Sequence, residues 1–416
     1  MPRCGRRRTS ATPSSPSWPG CRCAARTPRT TCAPPRWPRS TRGSPPTPRE
    51  PVGGELRRRP QGPLQRSPSV DHSSPVERLQ RIARQQGGYL TRQDGKDCGY
   101  LPSELGRLVD RGVLVRLRRG AFAVADDHAT WSRRQRHLVT ARAALAHLGP
   151  GYALSHDSAA AAHGLSLYGL DLDVVHVARV AGTTSRTRNG IARHRDVLEE
   201  ADVVDVDGLR VVRAPLAVAQ AAVASDVETG AVLVSSWISH LRSDARRRGR
   251  LEQFSQEEAK GDIRRVLASY AGRPGTRTAA DAVTIADGRC DSPGEVRVLV
   301  LCWRFGVPRP EMQYELALLD GRRAEVDFLW PTQRLVVEFD GRVKYDEDGD
   351  ESARATVWAE KRRELKVRDL GYHVVRLTWA DLAPENAERT AARLRRELAR
   401  AQRLYGHLSV GSSGAS

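Results

Sequence analysis

The run from Ala324 to Gly341 constrains the fold more than any other part of the chain. Ala324-Glu325-Val326-Asp327-Phe328-Leu329-Trp330 and Arg334-Leu335-Val336-Val337-Glu338-Phe339-Asp340-Gly341 both read as strands, and Pro331-Thr332-Gln333 turns the chain between them. Side chains alternate across a strand, so Val336, Glu338 and Asp340 share one face while Leu335, Val337 and Phe339 share the other. With Thr332-Gln333 as a two-residue loop, Asp327 falls directly opposite Glu338 on the same face. A slip of one residue would part them. Carboxylates set together among apolar strand residues are costly unless a cation or polar partner answers them. Oxygen ligands of this kind suit Mg²⁺ or Mn²⁺, and such an ion activates water and neutralises charge on a phosphodiester.

Upstream, Asp291-Ser292-Pro293-Gly294-Glu295 opens a helix that continues through Val296, Leu299, Val300 and Trp303. Ser292 suits the N-cap, Pro293 the first helical position, and Glu295 the third, as in a capping box. Glu295 therefore has two readings, a cap or a third acidic ligand beside Asp327 and Glu338. Asp340-Gly341 has two as well, a strand-ending turn or part of the site. Lys344 is a candidate cation near a scissile phosphate, and Lys361, Arg362 and Arg363 read either as a solvated helix face or as phosphate contacts. The acidic loop Asp346 to Glu351 lacks the glycine of a calcium-binding EF-hand and reads as solvated.

Residues 76–125 carry a different pattern. Val76 to Gln86 is a short amphipathic helix, Thr91 caps the next, and Leu101 to Arg111 places Leu101, Leu105, Leu108 and Val109 on one stripe. Gly112 stops that helix, and Val113 to Val124 forms a hairpin turning near Arg119-Gly120. Helix, helix, recognition helix and basic hairpin is the winged helix-turn-helix order. Ten basic residues against five acidic fit a DNA-binding role for 76–125. Ser103 and Arg107 would face the major groove, with Arg116, Arg118 and Arg119 on phosphates or in the minor groove. The alternative is a protein-binding winged helix whose arginines are merely solvated.

The net charge of +19 is unevenly held: residues 1–75 have 15 Arg, no Lys and three acids, while 291–416 carry 21 charges of each sign. Residues 1–75 also hold 16 of the 25 prolines and read as disordered, either a basic DNA-holding tail or the product of a misassigned start codon. The 63 Arg against five Lys match the codon bias of a GC-rich bacterial genome. No run of 18 apolar residues and no secretory signal is present, so a cytoplasmic protein without a membrane span is expected. Seven cysteines form no disulfide scaffold, and CxxC, HExxH, GxxxxGK[ST] and GxGxxG are all missing. Ser155-His156-Asp157 is no catalytic triad, because adjacent side chains cannot converge; Ser155 or Asp157 is expected to cap the Ala-rich helix that follows.

Two resemblances extend these readings. Gly88-Tyr89-Leu90-Thr91, Leu105 to Leu114 and Arg119-Gly120-Ala121-Phe122 resemble the N-terminal domain of AbiEi-type antitoxins of type IV toxin–antitoxin systems, with a weaker continuation at Ala153 to Ala160 and Ala162 to Leu165. Ala123 stands where that family usually ends its wing with Tyr. Ser292-Pro293-x-Glu295, Val326-Asp327-Phe328-x-Trp330-Pro331 and Val337-Glu338-Phe339-Asp340-Gly341 resemble the very-short-patch-repair-like endonucleases of the PD-(D/E)XK superfamily. Arg363-Glu364 and Gly371-Tyr372-x-Val374-Val375-Arg376-Leu377-Thr378 continue that match. Asp340 replaces the usual motif Lys, and Lys344 the usual His.

Together these imply an α/β multidomain protein. After the tail 1–75 come a winged helix-turn-helix at 76–125, an AbiEi-like α/β region at 126–225 and a helical connector at 226–290. A restriction-endonuclease-like α/β/α domain with a central mixed sheet follows at 291–405, then a disordered tail at 406–416. The implied function is metal-dependent cleavage of double-stranded DNA, with Glu295, Asp327, Glu338, Asp340 and Lys344 as the site and Mg²⁺ or Mn²⁺ on Asp327, Glu338 and Glu295. The rival is a non-cleaving regulator or antitoxin partnered by a nucleotidyltransferase-like toxin.

Overall fold

The computed structural model describes residues 74–180, 186–341 and 361–408. Its first helix, α1 (Pro75–Gln85), is closed by a Ser74/Glu77 capping box. Strand β1 (Leu90–Thr91) leads into α2 (Arg92–Asp97), where the Thr91 hydroxyl accepts from Asp94 N at 3.2 Å as the sequence leads one to expect. Next come α3 (Pro102–Asp110), β2 (Leu114–Arg118) and β3 (Ala121–Val124), and the antiparallel sheet runs β1-β3-β2. Leu79, Leu90, Leu105, Leu114 and Phe122 form its core. Leu101 departs from the expected stripe: it lies just outside α3 and is 63% exposed.

After α4 (Ala125–Thr130) and α5 (Arg133–Leu148), a six-stranded sheet is built from β4 (Tyr152–Leu154), β5 (Val175–Val180), β6 (Arg186–Arg188), β7 (Ile191–Leu198), β8 (Val203–Val206) and β9 (Leu209–Val212), in the order β6-β7-β5-β4-β9-β8. Helix α6 (His156–Ala162) has Ser155 at its N-cap position, but no side chain caps it. The expected cap is absent because the Ser155 hydroxyl lies 3.2 Å from His156 Nδ1 and the Asp157 carboxylate accepts from Asp171 N.

Four helices follow: α7 (Ala214–Ala224), α8 (Val227–Arg247), α9 (Gln256–Ala268) and α10 (Thr276–Ile285). Residues 226–290 do more than connect. Leu233, Val234 and Ile238 of α8, with Ile263 and Val283, complete the core under the six-stranded sheet beside Leu154, Val177 and Val211. Ala231 and Val232 of α8, with Ala282 and Ile285 of α10, belong instead to the core of the final segment.

That final segment opens with α11 (Pro293–Arg304), then β10 (Glu311–Ala317), β11 (Arg323–Trp330) and β12 (Leu335–Asp340), joined as antiparallel neighbours. A helix α12 over 361–369 precedes β13 (His373–Thr378), which pairs parallel with β12, and α13 (Pro384–Tyr405) ends the fold. The mixed sheet β10-β11-β12-β13 has apolar packing on both faces. Phe328, Trp330, Leu335 and Val337 meet α11 and α13, whereas Val326, Leu329 and Val336 meet Val367 of α12. Among the described residues no helix is long and apolar enough to cross a membrane.

Candidate functional site

The hairpin β11–β12 sets the site. Phe328 pairs with Val337, Leu329 with Val336 and Trp330 with Leu335, the register that puts Asp327 against Glu338. The turn is longer than the expected two-residue loop, since Pro331 to Arg334 all lie outside the strands, but it is centred on the same point and the register is unchanged. The ladder stops one step short of the acidic pair. There the Asp327 carboxylate, rather than its backbone, accepts from Phe339 N at 2.8 Å.

Glu295 approaches from α11. Helix α11 starts close to β12 because residue 294 is glycine, and a methyl group there would overlap the Phe339 ring. The Ser292 hydroxyl caps Glu295 N at 3.2 Å and donates to Glu295 Oε1 at 2.7 Å. The return bond of the expected capping box goes one residue further back, from Asp291 N to Glu295 Oε2 at 2.9 Å. So the cap is real, and it leaves Glu295 only 6% exposed beside the strand carboxylates.

Gln313 ties the two acids together, and nothing in its sequence position marks it. Its amide donates to Glu295 Oε2 at 3.0 Å and also hydrogen-bonds Asp327. Its φ of +46° is left-handed, in the middle of β10, and the β10–β11 ladder skips the Gln313–Asp327 step between Met312–Phe328 and Tyr314–Val326. A residue other than glycine held in that region is strained, and such strain gathers at functional sites.

Burial pushes all three carboxyls up. For Glu295 it is opposed by the bonds from Asp291 N and Ser292, and for Asp327 by the bond from Phe339 N. Glu338 goes furthest, to about 7, because burial and the neighbouring Asp327 outweigh Arg363. Arg363 of α12 is its partner, with Nη2 at 2.9 Å from Glu338 Oε2. The same guanidinium donates to Glu325 O at 2.7 Å. Arg363, weighed from the sequence as a solvated or phosphate-binding residue, instead reaches the acidic pair. Its neighbour Glu364 turns away to Arg376 at 3.0 Å.

Asp340 continues the face of Glu338 at the end of β12 and is partly exposed. Lys344 lies outside the described residues. Among the described residues, no three His, Cys, Asp or Glu side chains are arranged to share a metal ion. The donors themselves fit a hard cation: two adjacent carboxylates, both raised by burial, which the nearby guanidinium groups of Arg363 and Arg376 do not fully offset.

The basic residues of the first segment divide. Ser103 and Arg107 on α3, Arg116 on β2 and Arg119 at the hairpin turn are exposed, and the Arg116 guanidinium lies 5.5 Å from the centre of the Phe122 ring. Arg118 is half-buried and turned toward Arg193 of β7; burial, then that neighbouring charge, lowers its pKa.

Residues 77–125 match the family model described as "Transcriptional regulator, AbiEi antitoxin". Two curated Mycobacterium tuberculosis proteins, uncharacterized protein MT2308 (strain CDC 1551 / Oshkosh) and uncharacterized protein Rv2248 (strain ATCC 25618 / H37Rv), are each 32% identical over 144 residues. That stretch is 35% of this chain and 51% of theirs, so the chain spans about half the length of the curated relatives it matches. The solved RV2827C protein from Mycobacterium tuberculosis aligns over 59% of this chain and 88% of its own, at 16% identity and a TM-score of 0.31.

Proposed function

We propose that this chain binds double-stranded DNA through a winged helix at 76–125 and hydrolyses phosphodiester bonds at the Asp327/Glu338 site. The single observation that carries the hydrolytic reading is that pair: two register-matched, half-buried carboxylates, with Glu338 at about 7 although Arg363 is bound to it. Such perturbation is concentrated at functional sites. The helix α11, the mixed four-stranded sheet and its flanking helices support a restriction-endonuclease-like domain. The order of α1 to β3, the β1-β3-β2 sheet and the AbiEi family match support the winged helix.

Mg²⁺ or Mn²⁺ would be held by Asp327 and Glu338, with Glu295 close by, and would supply an activated water and charge neutralisation at the phosphate. The chain's own residues have separate parts in this scheme. Gln313 holds Glu295 and Asp327 in place, and Phe339 N fixes the Asp327 carboxylate. Arg363 is 40% exposed at its side chain, so it is free to leave Glu338 for a phosphate oxygen. Asp340 and Lys344 would complete the site from the end of β12 and beyond.

Cleavage of supercoiled plasmid by the full chain, with Mg²⁺, Mn²⁺ or EDTA, tests this. Metal-dependent nicking lost in both Asp327→Ala and Glu338→Ala is expected. A folded protein that shifts DNA but never cuts it would instead establish the second reading, a non-cleaving regulator or antitoxin with a nucleotidyltransferase-like toxin as partner. The family match at 77–125 and Asp340 in the place of a motif Lys favour that reading.

A further inference from the structure

A cleft of about 450 Å³ lies between the β2–β3 hairpin and the six-stranded sheet, lined by Arg92, Arg118, Arg119, His147 and Asn189 among others. Asn189 is in the tight turn between β6 and β7, which brings part of the basic stretch 186–195 against the hairpin. No carboxylate lines this cleft among the described residues. Its contrast is a second basic cavity, where Arg213 meets Asp202 at 3.1 Å, Arg273 meets Asp196 at 3.3 Å, and Arg265 pairs with Asp262. That cavity neutralises itself, and the first does not.

Arg118 sharpens the point. Its Nε is sealed from solvent and has no hydrogen-bond partner, and the charge of Arg193 nearby adds repulsion. A sealed, unanswered guanidinium donor costs free energy until an acceptor arrives. An anionic acceptor suits the cleft best, because three arginines, Arg92, Arg118 and Arg119, line it with no carboxylate among the described residues. A phosphate oxygen matches the planar fork of Arg better than a carboxylate-free protein surface can.

We propose that this cleft holds a backbone phosphate of duplex DNA, so that the β6–β7 turn and the hairpin grip one strand together. The inference rests on the DNA-binding reading above and joins Arg92 and His147 to Arg118 in a defined phosphate seat. A phosphate contact carries no base information, so it contributes to affinity and salt dependence without altering sequence preference.

The test uses the full chain with Asp327→Ala, to prevent cutting, and follows duplex binding by fluorescence anisotropy across a salt series. Arg92→Ala/Arg118→Ala is compared with Arg107→Ala on α3. The expected result for the double variant is a plot of log affinity against log salt that is shallower by about 0.9, the share of one phosphate contact. Discrimination between preferred and random duplex stays at the parent's level. Arg92→Ala alone, at an exposed residue, shifts in the same direction by less. Parent-like affinity and slope in the double variant, with Arg107→Ala weakened, would overturn the cleft assignment and leave DNA binding intact, whether or not the cleft accepts a free nucleotide. A parent that binds no duplex would overturn both.

Discussion

Two carboxylates in this protein, one buried and one half-buried, each meet arginine, and their pKa values move in opposite directions. Asp287, between α10 and α11, is 1% exposed. Burial alone would push its carboxyl up, but Arg289 chelates it at 3.0 and 2.9 Å and Arg309 adds a third guanidinium contact at 3.1 Å. The net result is a carboxyl held down at about 2. Glu338 receives one guanidinium, from a half-exposed Arg363, and has Asp327 for a neighbour; it stands at about 7. The first carboxyl is held down by its arginines. The second stays up although Arg363 and Arg376 both oppose the shift.

This contrast predicts opposite responses to amidation. Glu338→Gln is expected to stabilise the metal-free protein at pH 8, by up to about 3 kcal/mol, from the difference between an ordinary 4.5 and about 7. The folded protein holds the Glu338 proton more tightly than the unfolded chain does. Stability is therefore intact below about pH 4.5 and lost as pH rises toward 7, so the gain from Glu338→Gln vanishes near pH 4. Urea titrations of both proteins at pH 4 and pH 8 read this directly. If the variant is no more stable at pH 8, the two carboxylate sites are of one kind. Added Mg²⁺ should raise the melting temperature of the parent and leave Glu338→Gln unmoved.

Asp287→Asn should cost about 2 kcal/mol at neutral pH, from the fall between 3.8 and about 2. Here the unfolded chain binds the proton more tightly, so the contribution is present above about pH 4 and is lost as pH falls toward 2. The gap between variant and parent should close over that window in acid unfolding curves. The smallest effect is expected at Gln313→Ala, which removes a shared donor from Glu295 and Asp327 at a cost of about 1 kcal/mol. Its diagnostic is titration rather than melting: both carboxyls should move further up, visible in side-chain carbonyl NMR shifts. Unchanged titration of Glu295 and Asp327 would remove Gln313 from the site.

The parts of this site that could be read beforehand are those set by local rules. Ser292, Pro293 and Glu295 announce a helix start by composition, and the β11–β12 register follows from the alternation and the centre of a short turn. Gln313 was hidden because its role depends on a positive φ imposed by strands far along the chain. Arg363 is legible as a candidate, but a run of basic residues on a helix does not say that it turns inward to Glu338. The histidines follow the same rule. His156, His176 and His194 stack, with rings as close as 3.6 Å, from three separate elements, and adjacency in sequence had pointed only to Ser155 and Asp157. The role of 226–290 is not legible in the sequence because an apolar helix stripe does not name the surface it will cover.

Helix α8 supplies side chains to two cores at once, and this determines what can be moved. Residues 291–405 look like a cassette that a gene fusion could carry elsewhere. Cut at 290, that cassette would lose Ala231, Val232, Ala282 and Ile285 and leave their apolar counterparts wet. Cut at 225, the other half would lose Leu233, Val234 and Ile238. A transplant that keeps its solubility would therefore have to begin before Val227, and the donor stripped of that piece would be the one to aggregate.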